Sequence, residues 1–136
     1  MKEGFLKMFK LFGNAIGVLA VFFAATSFTQ AAVLDDVEIR KLVNGKRVFL
    51  KIPLGGEFPL KYKASGVVRG DGSGVGLGKF LAPKDTGRWW IADGRLCQKW
   101  KKWYKGKTTC FVISDKNGKN FRWKRSDGRK GKARVE

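Results

Sequence analysis

The residues best suited to binding chemistry lie in one short stretch of the chain. Residues 87–110 contain four of the five tryptophans, both cysteines and five lysines. Aromatic rings set between cationic side chains suit polyanions, because the rings provide stacking surface while the cations neutralise negative charge. We therefore expect a binding face made of Arg88, Trp90, Arg95, Lys99, Trp100, Lys101, Lys102, Trp103, Tyr104, Lys105, Lys107, Arg122, Lys124 and Arg125.

Two simpler interpretations of these residues stay open. The lysines of residues 99–107 also fit an ordinary solvated face, and any tryptophan of a small domain can be a core residue. Trp89 and Trp90 are adjacent, so on a strand they point to opposite faces and at least one belongs to the core. We expect Trp123 to face inward together with Phe121.

The charge balance favours an anionic partner. The chain has 29 lysines and arginines against 11 acidic residues, and residues 95–136 contain 15 basic residues against 3 acidic ones. Such a surface attracts polyanions through its long-range field. The expected partner is an anionic polymer or an anionic membrane surface: lipopolysaccharide, phospholipid, an acidic glycan or nucleic acid. We also expect the protein to be a monomer.

Groups for catalysis or metal binding are scarce. The chain has no histidine, which removes the usual hydrolase triads and a common zinc ligand. Five aspartates mostly fall in glycine-containing turns, where aspartate is common because of its local hydrogen bonds: Asp71, Asp85, Asp93, Asp115 and Asp127. We therefore expect no enzyme activity, no catalytic residue, no metal and no cofactor.

Alternating glycines over residues 70–78 raise the question of a phosphate-binding loop. A P-loop would need glycine at position 73 and serine or threonine after Lys79, whereas this chain has Ser73 and Phe80. We expect instead a flexible loop, or a strand that another backbone approaches closely.

The N-terminal residues predict export. Three lysines precede an apolar run over residues 11–23, and residues 29–31 place small side chains where a signal peptidase reads them. The run is shorter than the roughly 20 residues that a membrane-spanning helix needs. We expect a signal peptide over residues 1–31 and a periplasmic or secreted protein. In such a compartment Cys97 and Cys110 should be joined by a disulfide, worth about 3 kcal/mol for a loop of about 14 residues.

The rest of the chain reads as a short helical segment over residues 32–46 and an antiparallel β domain over residues 47–136. The helix should cover the sheet as a lid or plug, with Val37, Ile39 and Leu42 on its apolar side. Alternating apolar residues and Asp-Gly or Asn-Gly turns predict an all-β meander of about seven or eight strands, as a small barrel or sandwich. Residues 80–87 are expected to form a connecting loop.

Residues 95–105 allow a second interpretation. Leu96, Trp100, Trp103 and Tyr104 share one face at helical spacing, which fits a cationic amphipathic helix. We favour a hairpin in which Cys97 faces Cys110. Its loop over residues 102–105 would place Trp103 and Tyr104 at a tip flanked by lysines.

These elements together resemble an uncharacterised family of small exported proteins from Gram-negative bacteria. The resemblance implies export, the disulfide and a compact β fold, and it implies no activity. It is carried by Glu38-Ile-Arg, Gly45-Lys, Gly87-Arg-Trp-Trp, Leu96-Cys-Gln-Lys-Trp100, Trp103, Cys110-Phe, Arg122-Trp and Asp127-Gly.

The predicted function is a non-enzymatic binding module that uses a basic, aromatic-bearing face to engage an anionic envelope component or another polyanion. One alternative is a structural envelope protein. The other is a small barrel that carries an apolar small molecule in an interior lined by some of Trp89, Trp90, Phe111, Phe121 and Trp123.

Overall fold

In the described part of the chain, eight antiparallel strands close into a barrel, and a short helix precedes them. The computed structural model describes residues 17, 19–27, 31–53, 55–75 and 83–136. The helix α1 spans Asp36–Val43, and 3-10 turns lie at Ser73–Val75 and Trp103–Gly106. The strands are β1 (Arg47–Lys51), β2 (Glu57–Tyr62), β3 (Val67–Asp71), β4 (Lys84–Ala92), β5 (Arg95–Trp100), β6 (Thr108–Asn117), β7 (Asn120–Arg125) and β8 (Lys130–Val135).

The barrel closes where β1 pairs with β8. Each other strand pairs with its neighbours in sequence, so the sheet is a simple up-and-down meander with no free edge. Arg134 of β8 reinforces this closure from outside: its guanidinium donates two hydrogen bonds of 2.7 Å to the carboxylate of Glu57 on β2. A third bond of 2.8 Å goes to Glu136, and the Phe49 ring of β1 lies 4.2 Å beneath the guanidinium. The all-β meander predicted from the sequence is confirmed as a barrel.

Inward-facing residues of all eight strands fill the barrel. Val48, Leu60, Val68, Ile113 and Phe121 are among the buried residues of this core. A polar pair crosses the same interior, because the buried Tyr62 hydroxyl donates to the side-chain oxygen of Gln98 at 3.0 Å. Burial raises the pKa of Tyr62, so it stays a neutral hydrogen-bond donor.

The helix α1 closes one end of the barrel, here called the helix end. A capping box between Asp35 and Glu38 begins it, with reciprocal backbone-to-carboxylate bonds of 2.8 Å. Its buried residues Ile39, Leu42 and Val43 belong to the same core as the barrel. The predicted plug is therefore confirmed. The expectation for Val37 is wrong: it is exposed, because it lies two residues from Ile39 and so points to the opposite side of the helix.

Aromatic rings close the other end, here called the aromatic end and formed by Phe58, Trp100, Trp103 and Trp123. The Trp103 ring centre lies 5.4 Å from that of Phe58 and 4.5 Å from that of Trp100. Glycines make room for the rings: a Cβ at Gly70 would overlap ring carbons of Trp103, and a Cβ at Gly131 would lie 2.5 Å from the Trp123 ring.

Three local predictions need correction. Lys84 to Gly87 are strand and not loop, because β4 pairs with β3 as far as Lys84 opposite Asp71. The spacing of the Asn-Gly signal predicts a strand that ends at Ser114 and a turn within residues 115–119, whereas β6 continues to Asn117, with an irregularity in its pairing with β7. The amphipathic-helix interpretation of residues 95–105 is wrong, because β5 runs to Trp100 as a paired strand. The favoured hairpin register is confirmed: Cys97 faces Cys110, and a disulfide joins them.

The described N-terminal residues fall into an exposed part and a part that is hydrogen-bonded to β6. Residues 17 and 19–27 have no regular structure, and Leu19, Phe22 and Phe23 are exposed. Within the described ranges, no helix is long and apolar enough to cross a membrane. Further on, Leu34 donates to Ile113 of β6, and Ala32 accepts from Asp115, each at 2.9 Å. The signal peptide stays a prediction, and much of it (residues 1–16, 18 and 28–30) lies outside the described residues.

Replacing Gly70 with alanine tests the packing of the aromatic end. We expect Gly70→Ala to lower the free energy of unfolding by about 1–3 kcal/mol, because the added methyl group must displace the Trp103 ring. Gly74→Ala is the matched control, since a Cβ there meets no atom within 4 Å. Urea unfolding of the two variants and the wild type gives the comparison. Equal stabilities for both variants would contradict this packing.

Candidate functional site

The outer face of β4 and β5 brings together four of the predicted site residues. Arg88 faces Lys99 directly across the two strands, Trp90 faces Cys97, and Arg95 faces Ala92. The predicted split of the tryptophan pair is confirmed, since Trp90 is 37% exposed. Its neighbour Trp89 is only 5% exposed, and its indole N–H donates to the Lys63 carbonyl at 2.8 Å.

A second group of cations lies on the outer face of β7 and β8. Here Arg122 faces Lys132 and Lys124 faces Lys130, and all four residues are exposed. With Arg88 and Lys99, that makes three cross-strand pairs in which one cation is placed directly opposite another. We call Arg88, Trp90, Arg95, Lys99, Arg122, Lys124, Lys130 and Lys132 the basic face.

Directly opposed like charges destabilise a sheet. Counter-charges that would relieve this repulsion are few on the basic face. Among the described residues, the ion pairs within 4 Å that involve it are limited to Arg122 with Asp115, at 3.8 Å and well exposed to solvent. Such an exposed pair is worth little. The positive charge of the basic face is therefore little neutralised by neighbouring carboxylates.

The disulfide lies on the barrel wall between the two groups of cations. Cys97 of β5 is bonded to Cys110 of β6. Next to them on the outer face, Lys99 of β5 faces Thr108 of β6. The bridge fixes β6 to β5 next to Trp90, so it holds these two strands in register.

The connection after β5 carries four more predicted cations, Lys101, Lys102, Lys105 and Lys107, all exposed. Its turn places Tyr104 and Lys105 in the left-handed region, with φ of 54° and 55°. Tyr104 is half-exposed, and the guanidinium of Arg125 lies 5.2 Å from its ring centre. Arg125 is also paired with Asp127, and this hydrogen-bonded carboxylate raises its pKa.

Three predicted contact residues lie elsewhere than expected. Trp100 is only 2% exposed, so it is a core residue and cannot belong to a surface contact. Trp103 is not at an exposed tip but half-buried against Phe58, because Gly70 leaves space for its ring. Arg125 has a side chain only 11% exposed and is committed to Asp127. Trp123 faces inward with Phe121, as expected, and packs edge-on against Phe111.

Asp85 positions the lysine-bearing connection. One carboxylate oxygen accepts the backbone N–H groups of Lys102 and Trp103, and the other accepts that of Thr86, all at 2.8 Å. Desolvation raises the pKa of this buried carboxyl, but the hydrogen bonds from Trp103, Lys102 and Thr86 outweigh it, so the net pKa lies below its ordinary value.

Two contributors were missed from the sequence alone. Lys130 and Lys132 were not predicted as site residues, although register with β7 makes them partners of Lys124 and Arg122. Asp85 looks in the sequence like an ordinary turn aspartate. Its role as an acceptor depends on Lys102 and Trp103, which lie far from it in sequence and meet it only in the folded chain. Among the described residues, no cluster of three or more possible metal ligands occurs.

Comparisons with protein-family models, with curated proteins and with solved structures find no match to this chain. The family resemblance noted in the sequence therefore stays a prediction, and the case for a function depends on the site alone.

Replacing Asp85 with asparagine tests whether this carboxylate holds the connection. Asp85→Asn should cost about 1–3 kcal/mol of stability near neutral pH, because an amide group then faces two backbone N–H donors. The wild-type advantage is present in full above the ordinary aspartate pKa of 3.8 and is lost as pH falls through the lower folded-state pKa.

Urea unfolding over an acid pH series measures this difference. Asp93→Asn is the control, since it makes the same substitution at an exposed position in the β4–β5 turn and leaves the hydrogen bonds of Asp85 in place. A constant difference between wild type and Asp85→Asn across the series would refute the ionised role.

Proposed function

We propose that this protein is an exported, non-enzymatic binding module whose basic face engages a polyanion of the cell envelope or its surroundings. The observation that carries the proposal is the direct opposition of cations at Arg88 and Lys99, Arg122 and Lys132, and Lys124 and Lys130. A surface that repels itself in the free protein gains most when an anion lies across it.

The position of Trp90 favours a polyanion that also carries rings or other flat apolar groups. Its half-exposed ring lies two residues from Arg88 on the same outer face. Stacking on an aromatic ring contributes about 1–3 kcal/mol per base in single-stranded nucleic acid. Lysine outnumbers arginine in the adjoining connection, which favours diffuse contact along a polymer over recognition of one sequence.

Export is part of the same proposal. A stable disulfide is expected in an oxidising compartment such as the periplasm or the extracellular space. The Cys97–Cys110 bridge supports such a location, in agreement with the leader predicted at residues 1–31.

Removing the first cation pair tests the function. The double variant Arg88→Gln/Lys99→Gln should bind oligothymidylate more weakly than wild type. The slope of log affinity against log salt should be shallower by about 1.4, since each lost phosphate contact on a single strand accounts for about 0.7. Fluorescence anisotropy over a salt series provides both quantities.

The matched control is Lys41→Gln/Lys46→Gln, which removes the same charge from exposed positions beside the helix end. Its slope should equal that of the wild type. Failure of the wild type to bind oligothymidylate, heparin and anionic vesicles at low salt would eliminate the polyanion function.

A second candidate function is transport of a small apolar molecule by the barrel. An eight-stranded barrel is of a size that can hold one small ligand. The indole N–H groups of Trp100 and Trp123 are buried without an acceptor among the described residues, which is unfavourable by about 1–3 kcal/mol each. A ligand with an apolar body and a carbonyl oxygen would supply an acceptor, if it replaced the Trp103 ring at the aromatic end.

Prodan, a neutral naphthyl ketone, tests this candidate without attraction to the basic face. We expect its fluorescence to report binding to the wild type, and tighter binding to Trp103→Ala, in which the aromatic end is opened. Absence of binding to both proteins would exclude the carrier function and leave the polyanion proposal untouched.

A further inference from the structure

A third concentration of positive charge lies outside the basic face, on the outer surface of β1, β2 and β3. Arg47 faces Lys61 across β1 and β2, and Lys61 in turn faces Arg69 across β2 and β3. Neighbouring strands are about 4.8 Å apart, so the three cations form a row roughly 10 Å long. All three residues are exposed.

This row lines an open, shallow groove on the outside of the barrel. A groove of 520 Å³ is lined by Arg47, Lys61 and Arg69 together with Lys84, Asp71 and Thr86. We call it the cationic groove. It brings cations from three adjacent strands to the edge of one compact space, which suits a compact anion.

The acidic groups of the cationic groove are already engaged. Asp71 accepts the backbone N–H and the hydroxyl of Ser73 and lies 3.6 Å from Lys84. These hydrogen bonds lower its pKa, so it is ionised. Asp85, which also lines the groove, accepts three backbone N–H groups. Among the described residues, no carboxylate lies within 4 Å of the cations of Arg47, Lys61 or Arg69.

The residue types indicate the chemistry of the ligand. Two of the three cations are arginines, whose planar forks bind the oxygens of phosphate in pairs. This contrasts with the lysine-rich connection after β5. One arginine is also oriented, since the guanidinium of Arg47 lies 5.1 Å from the Phe49 ring centre.

We propose that the cationic groove is a separate binding site for a compact phosphorylated ligand, a phosphomonoester or diphosphate, held by Arg47, Lys61 and Arg69. A free phosphorylated compound and a phosphomonoester lipid headgroup share this chemistry. The proposal is independent of the polyanion function, which uses other residues.

Titration calorimetry with pyrophosphate tests the site. The wild type should bind pyrophosphate with one-to-one stoichiometry, and Lys61→Gln/Arg69→Gln should weaken binding about tenfold or more, because charged hydrogen bonds are lost. The matched control Arg122→Gln/Lys132→Gln removes another arginine and lysine that face each other, on β7 and β8, which contribute no lining residue to the groove. It should change pyrophosphate affinity by less than about twofold.

Arg69→Lys keeps the charge and removes the planar fork, so it should also weaken pyrophosphate binding while the thermal unfolding curve stays unchanged. Oligothymidylate binding, measured on the same proteins, separates the groove from the basic face: it should survive Lys61→Gln/Arg69→Gln. Vesicles of phosphatidylcholine with and without phosphatidic acid then distinguish a lipid headgroup from a free ligand. No pyrophosphate binding by the wild type, or equal losses in both double variants, would overturn the proposal.

Discussion

The fixed width of an eight-stranded barrel is the constraint on which the rest of this protein depends. Such an interior is just wide enough to be filled by side chains, so a large ring can enter only where a facing residue is small. Gly70 and Gly131 meet this demand for Trp103 and Trp123. At Gly87 the restriction is more severe, because a Cβ there would overlap backbone atoms of Lys99 and not a side chain. The rings and the glycines therefore define one packed end, and the connection that carries Trp103 is drawn against it.

Period-two alternation then divides the tasks of each strand between its two faces. On β5, Leu96 and Trp100 point into the core, whereas Arg95, Cys97 and Lys99 point outward. The buried inward side chains stabilise the fold, so cations can occupy the outward positions without disturbing the packing of the core. The fold tolerates these cations because apolar burial and the disulfide stabilise it. Closure of the barrel also pairs every strand on both sides, so no unpaired edge strand can separate under charge repulsion.

Local patterns predicted the strands well, because Asp-Gly and Asn-Gly turns mark hairpins and the cysteine pair fixes one register. What they could not predict depends on residues that meet only in the folded chain. The inward course of Trp103 depends on Gly70, far away in sequence, and the anchoring of that connection depends on Asp85. The opposition of Arg122 to Lys132 depends on register and not on composition, so the sequence showed an excess of charge without its arrangement.

The opposed cations link folding to the ionic surroundings of the protein. Dissolved salt screens the repulsion between Arg88 and Lys99, so it favours the folded barrel while it weakens attraction to a polyanion. Under the proposed function, a bound polyanion would also favour the folded barrel, because it would neutralise the pair and bind only the assembled face. Added salt would therefore raise the free energy of unfolding and lower the affinity for a polyanion, and the proposed partner would stabilise the fold most at low ionic strength.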